Sequence, residues 1–188
     1  MMDRRTALQR IAIIMGGTLS ASTIAGVLGG CSAGPEDSSF TARTLTDNRD
    51  ELVATLAEHI IPETDTPGAR AARVHEFIDN MLTDWYEAAE VASFLAGLED
   101  VEARSRASGA DAFLSMDSEA QVALLTQMEA EALASEETDE MPFFNAIKAL
   151  TLFGYYTSEV GATQELRINP MGMYRADVPY EEIGRAWA

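Results

Sequence analysis

The sequence predicts an all-α protein: a compact bundle of about five helices with an irregular C-terminal arm, preceded by an N-terminal signal helix. Three observations carry this. Apolar residues recur at steps of three and four through most of the chain, the spacing of one helix face. No stretch alternates apolar and polar residues over a strand's length, and no internal repeat is visible. Prolines fall between the periodic segments, where helices stop and start.

Taken in order, the chain opens with Arg4 and Arg5 ahead of Ile11-Ala12-Ile13-Ile14-Met15. The apolar run continues through Leu19, Ile24 and Val27 to Leu28-Gly29-Gly30-Cys31. A charged head, an apolar middle and a small-residue end is the layout of an export signal. The paired arginines point to the twin-arginine route, which carries proteins already folded. Asp3 before the pair and Ala7-Leu8-Gln9 after it depart from that route's usual pattern. The small residues ahead of the cysteine look like a lipobox, making Cys31 the lipidated residue and the new N-terminus. Gly16, Gly17, Thr18, Ser20 and Ser22 leave the middle only mildly apolar. A permanent span wants about 20 mostly apolar residues, so an uncleaved anchor is the weaker alternative. The expected location is therefore the periplasmic side of a membrane, with Ser32 after the cysteine favouring the outer one.

Residues 31–45 read as a flexible tether, with Ala33-Gly34-Pro35-Glu36-Asp37-Ser38-Ser39 and no apolar period. The domain proper is expected over 46–188. Thr46 or Asp47 caps a first helix carrying Leu52, Val53, Leu56, Ala57, Ile60 and Ile61, and Pro62 stops it. Pro62-Glu63-Thr64-Asp65-Thr66-Pro67-Gly68-Ala69 is a stiff turn region, rich in residues that bond their own backbone. The second helix shows the strongest period, through Val74, Phe77, Ile78, Met81, Leu82, Trp85 and Tyr86. A third runs through Val91, Phe94, Leu95, Leu98 and Val101 and ends near Ser108-Gly109. Ser118 with Gln121 predicts a capping-box start for a fourth, with Val122, Leu125, Met128 and Leu133 as its apolar face. Pro142, read as a first helical residue, opens a fifth through Phe143, Phe144, Ile147, Leu150, Thr151, Phe153 and Gly154 to Tyr155-Tyr156. Gly154 inside it permits a close neighbour. From about residue 159 the period is lost and an arm punctuated by Gly161, Asn169-Pro170, Gly172, Pro179 and Gly184 ends at Trp187-Ala188.

Charge bounds the function. The chain's formal net charge is −18; Arg4, Arg5 and Arg10 against Asp3 give the first thirty residues +2, so the remaining 158 carry −20. Such a surface repels nucleic acid and anionic lipid, so membrane attachment falls to the lipid on Cys31. Several acyl chains make that hold durable. Cys31 is the only cysteine, so no internal disulfide forms.

A search for chemistry finds little. The chain has no G-x-G-x-x-G, no G-x-x-x-x-G-K-[ST] and no C-x-x-C-H, so no motif binds a dinucleotide or nucleoside triphosphate or attaches haem. His75 and Asp79 lie one turn apart on a helix, where both reach one metal ion, but the zinc-protease pattern wants a second histidine at the Asp79 position. A free-standing enzyme or metal protein built around His59, Asp65, His75 and Asp79, or a stand-alone exported lipoprotein binding a metal or another partner, stays open as the rival reading. Tyr155, Tyr156, Ser158 and Glu159 pair no base with a nucleophile in sequence, and read as core or interface aromatics. Glu129, Glu131, Glu136, Glu137, Asp139 and Glu140 read as a solvated face and loop.

Taken together, several segments resemble the small subunit, subunit 3 or gamma, of membrane-bound gluconate 2-dehydrogenase and related FAD-dependent sugar and polyol dehydrogenases. The residues that carry the likeness are the double-arginine signal ending in Gly30-Cys31, Ile60 to Ala69 followed by Val74 and Phe77-Ile78-Asp79, and Trp85-Tyr86. Phe143-Phe144, Lys148, Leu150-Thr151, Gly154 to Ala162, and the Tyr174, Asp177, Pro179 and Trp187 tail complete it, with Met171-Gly172-Met173 departing from a common Pro-Gly. The resemblance implies a non-catalytic subunit without cofactor or metal of its own. It supplies the export signal and assists folding, export and anchoring of a large flavoprotein of the GMC oxidoreductase type, and in such complexes a multihaem cytochrome c takes the electrons. The expected grip on the flavoprotein is the turn (Pro62, Thr64, Asp65, Thr66, Pro67) with Phe143, Phe144, Tyr155, Tyr156, Tyr174 and Trp187.

Overall fold

Five helices of eleven to twenty residues form where the apolar period predicts them: α1 Asp47–Ile60, α2 Val74–Asp84, α3 Ala88–Ala107, α4 Ser118–Ala134 and α5 Phe143–Thr157. The computed structural model describes residues 40–135, 141–167 and 177–186, and the chain from Thr41 to Ala188 is one compact unit. The signal helix with Arg4, Arg5 and Cys31, the acidic stretch 136–140, and the arm residues Tyr174 and Trp187 lie outside the described residues. Among those described there is no strand, and no helix is long and apolar enough to cross a membrane.

Local chemistry sets the helix ends. Asp47 and Asp50 sit in the first turn of α1, where the helix dipole favours negative charge. Pro62 disfavours helical backbone at the residue before it, and Ile61 accordingly leaves the helix with φ −129° and ψ 87°. α3 is capped by Glu90, whose carboxylate accepts the Glu87 N–H at 2.8 Å. α4 corrects the expected cap: Asp117, not Ser118, is the capping residue, its carboxylate accepting the Ala120 N–H at 2.8 Å. Pro142 likewise stands one position earlier than expected, as the cap of α5 rather than its first residue.

α5 is the central helix and touches each of the other four. It is apolar nearly all round, as a helix with neighbours on several sides must be. Phe144, Ile147, Leu150, Thr151, Gly154 and Tyr155 form its buried face. α2 runs antiparallel along it, with Phe77 against Gly154 at one end and Tyr86 near Phe143 and Ala146 at the other. Gly154 is the close approach the sequence predicts: a Cβ there would lie 2.6 Å from Phe77 Cδ1. Val74, Ile78 and Leu82 of α2 meet Leu52, Val53 and Leu56 of α1 and Phe94, Leu98 and Val101 of α3 in the same core, closed by Phe113 from a 3-10 turn at Phe113–Ser115.

Two further expectations shift. The buried face of α4 is Gln121, Leu125, Met128 and Ala132, whereas Val122 and Leu133 are exposed. A glutamine takes a core position because both ends of its amide are bonded: His59 Nε2 donates to Oε1 at 2.6 Å, and Nε2 donates to the Phe113 carbonyl at 2.9 Å. The arm is also more regular than its sequence suggests. A π-helical turn at Gly161–Glu165 follows α5, and a short α6, Tyr180–Ile183, has its last carbonyls bonded by Arg167 Nη1.

Candidate partner-binding face

The turn between α1 and α2 is fixed from below. Glu58, near the end of α1, accepts the Glu63 N–H at 2.9 Å through one carboxylate oxygen and the Arg70 N–H at 2.8 Å through the other. Gly68 leaves the room that this carboxylate fills, since any side chain there would collide with it. The Ala69 N–H donates to the Ile61 carbonyl at 2.9 Å and closes the loop at its base. From α5, the buried Tyr155 hydroxyl donates to the Pro67 carbonyl at 2.8 Å. Thr66 Oγ1 donates to Glu165 Oε2 at 2.9 Å, tying the loop to the π turn. Pro62, Glu63, Thr64 and Asp65 are left exposed on a loop whose backbone is held at four points and whose Thr66 side chain makes a fifth tie. Such bracing lowers the conformational entropy a binding partner must remove.

Among the described residues, the expected interface residues divide into two sets. Thr66, Pro67 and Tyr155 are brought together by direct contact, with Tyr156 beside them, its ring edge-on to Tyr155 at 5.3 Å. Phe143 and Phe144 sit at the opposite end of α5. Phe144 and Tyr155, named for the interface, lie in the core instead: they are 7% and 1% exposed, because the inner face of α5 needs large apolar groups to reach four neighbouring helices. Tyr155 shapes the loop through its hydroxyl and presents no ring of its own. Phe143 is half-buried against Phe94, with ring centres 5.3 Å apart.

Asp79 has a role that its sequence position hides. It is fully buried, and its carboxylate accepts three backbone N–H groups, from Arg43 at 2.8 Å, Thr44 at 3.0 Å and Leu45 at 2.8 Å. Arg43 then reaches Asp84 at 2.7 and 2.9 Å and Asn80 at 2.8 Å. The segment leading into α1 is thereby tied to α2. An aspartate next to Ile78 on the core side of the most regular stripe was the available signal, since an acid survives there only when its oxygens are bonded. Asp79 is engaged in these bonds, His59 is bonded to Gln121, and Asp65 is exposed and bonded by Thr64 Oγ1 at 3.1 Å. Among the described residues, no three His, Cys, Asp or Glu side chains gather as a metal-ion site.

Charged pairs brace the same elements. Arg70 donates twice to Glu51, at 3.0 Å each, and once to Thr55 at 2.8 Å. This holds the Glu51 carboxyl below the usual range and raises Arg70. Burial pushes Asp50 up, against the pull of nearby His75. Of the α4 acids, Glu129 pairs with Lys148 at 2.5 Å and Glu131 with Arg104 at 2.8 Å. Their carboxylates face α5 and α3 rather than water alone.

The fold and this face define a small all-helical scaffold that presents a rigid loop outward. The chain belongs to the gluconate 2-dehydrogenase subunit 3 family, whose description matches residues 47–173. That span begins with the first residue of α1 and takes in all five helices and the loop. Neither curated proteins nor solved structures supply a match. The chain is thus of a kind that forms part of a dehydrogenase complex.

Proposed function

We propose that this chain is the accessory, non-catalytic subunit of a membrane-associated FAD-dependent sugar or polyol dehydrogenase. It carries the large flavoprotein outward as a folded pair through the Arg4-Arg5 signal and holds it at the periplasmic face through lipid on Cys31. The observation that carries this reading is the family match over 47–173 joined to the signal pattern before it. The braced loop supports it as a preformed surface for a protein. The flavin belongs to the large subunit, and electrons pass from it to a multihaem cytochrome c where one is present.

The test is co-expression of this chain with the large flavoprotein, with Arg4→Lys and Arg5→Lys introduced together. Dehydrogenase activity is expected to remain in the cytosol of the variant and to reach the periplasmic face in the parent. Active flavoprotein exported normally by the variant would defeat the carrier role. The rival, a metal-binding lipoprotein, predicts a stoichiometric ion in the purified chain that His75→Ala removes.

A further inference from the structure

Among the described residues, nothing covers the outer face of the α2/α5 pair. On α5, Ala149, Leu152, Phe153 and Tyr156 repeat at three and four, and the last three are 39%, 58% and 38% exposed. On α2, Phe77 and Met81 lie four apart and half-buried, and Trp85, four further on at the residue that ends the helix, is 78% exposed. Phe77 and Phe153 meet across the seam with ring centres 5.6 Å apart. At the other end a groove of about 440 Å³ opens between Tyr86, Glu90 and Phe143. Scattered exposed apolar residues need no explanation; a continuous strip along two packed helices does.

The charges around the strip select what fits it. α5 carries one charged side chain, Lys148, and Glu129 neutralises it. Acids flank the strip in sequence at both ends: Glu90 lines the groove with exposed Glu87 three residues before it, and exposed Glu159 follows Ser158, whose extended backbone ends α5. The chain as a whole carries −18. A second copy would bring like charge to like charge, and an anionic lipid surface would be repelled in the same way. We infer that the α2/α5 seam is the dock for an amphipathic helix of the partner protein, an apolar ridge with Lys or Arg near both ends. At 1.5 Å per residue the fifteen residues of α5 span about 22 Å, so the docked helix has about four turns. This deepens the partner-holding role proposed above and rests on it only for the identity of the partner.

The full chain, expressed in its native host with a photo-crosslinking residue in place of Phe153, tests the seam directly. A second chain carrying the crosslinker at Leu133, 78% exposed on α4, is the control. The expected product from position 153, and not from 133, is a flavoprotein peptide with apolar residues at three and four and a Lys or Arg at each end. Phe153→Glu is expected to lower the flavoprotein recovered with the tagged chain by about tenfold or more. Glu90→Lys with Glu159→Lys should lower it further as salt is reduced, the reverse of the parent's behaviour. A variant that loses helicity is replaced by Trp85→Glu, whose side chain packs least. A crosslink to a second copy or to lipid, no protein crosslink from position 153, or full recovery with a folded Phe153→Glu or Trp85→Glu chain would overturn the inference. A peptide of the expected pattern from a protein without flavin would uphold the seam and overturn the proposed partner instead.

Discussion

The two faces of the α2/α5 pair are nearly alike in composition and opposite in environment. Inward, Ile147, Leu150 and Tyr155 of α5 and Ile78 and Leu82 of α2 are buried; of the polar groups among them Asp79 and the Tyr155 hydroxyl are bonded, while Thr151 Oγ1 has no partner among the described residues. Outward, Leu152, Phe153 and Trp85 are equally apolar yet exposed. Apolar period therefore identifies a helix, while the choice of face depends on which neighbours arrive. Among the described residues the outer side of α5 stays uncovered, and it is the side proposed above as the dock.

The contrast can be broken hardest at Asp79. Asp79→Ala leaves the three N–H groups of Arg43, Thr44 and Leu45 without their acceptor and is expected to destabilise the protein by about 3–5 kcal/mol, read from chemical denaturation. Ile147→Ala and Phe153→Ala sharpen it on one helix. The first removes a buried side chain and should reduce stability by about 2–4 kcal/mol, while the second, starting from 58% exposure, should stay under about 1 kcal/mol. Equal losses would mean that the outer face is packed after all. Gly154→Ala gains about 1 kcal/mol of helix propensity but drives a methyl into Phe77, whose displacement costs about 1–3 kcal/mol. A net loss of about 1 kcal/mol with weakened Phe77–Phe153 contact is the expected result, checked by thermal melting.

The smallest effect is electrostatic. Arg70 holds the Glu51 carboxyl down by hydrogen bonding, so this pair contributes stability above the unfolded glutamate pKa and loses it as pH falls through the depressed folded value. Both side chains are about half exposed, so the gain is within about 1 kcal/mol. Glu51→Gln should flatten the acid limb of a stability-versus-pH curve by that amount and leave neutral-pH helicity unchanged. Asp50 works in the opposite sense: its carboxyl is raised by burial, so acidification relieves a desolvation penalty there while the Glu51 pair is being lost.

Much of the scaffold was legible from spacing because helix formation depends on neighbours three and four residues away. Pro62 ends α1, Gly154 receives Phe77, and the all-helical class follows from these local rules. The α4 face was misphased because a glutamine does not signal burial until His59 and the Phe113 carbonyl are placed against it, more than sixty and eight residues away. The same holds for Tyr155 and Phe144, whose aromatic character suits a surface as well as a core. Of the candidate face, the turn residues were visible as stiff, self-bonding chemistry; the supports beneath them were not, since Glu58, Tyr155 and Glu165 reach the loop from three separate segments.

By itself the sequence determined the helical class, the helix positions and the membership of the family, because periodicity, proline and motif content are properties of the linear chain. Only the tertiary structure decided which of two apolar faces of α5 is core, that Asp79 ties the entry segment to α2 and that the loop is braced by Tyr155. Those outcomes depend on contacts between residues distant in sequence, where burial and hydrogen bonding, rather than local spacing, set the free energy.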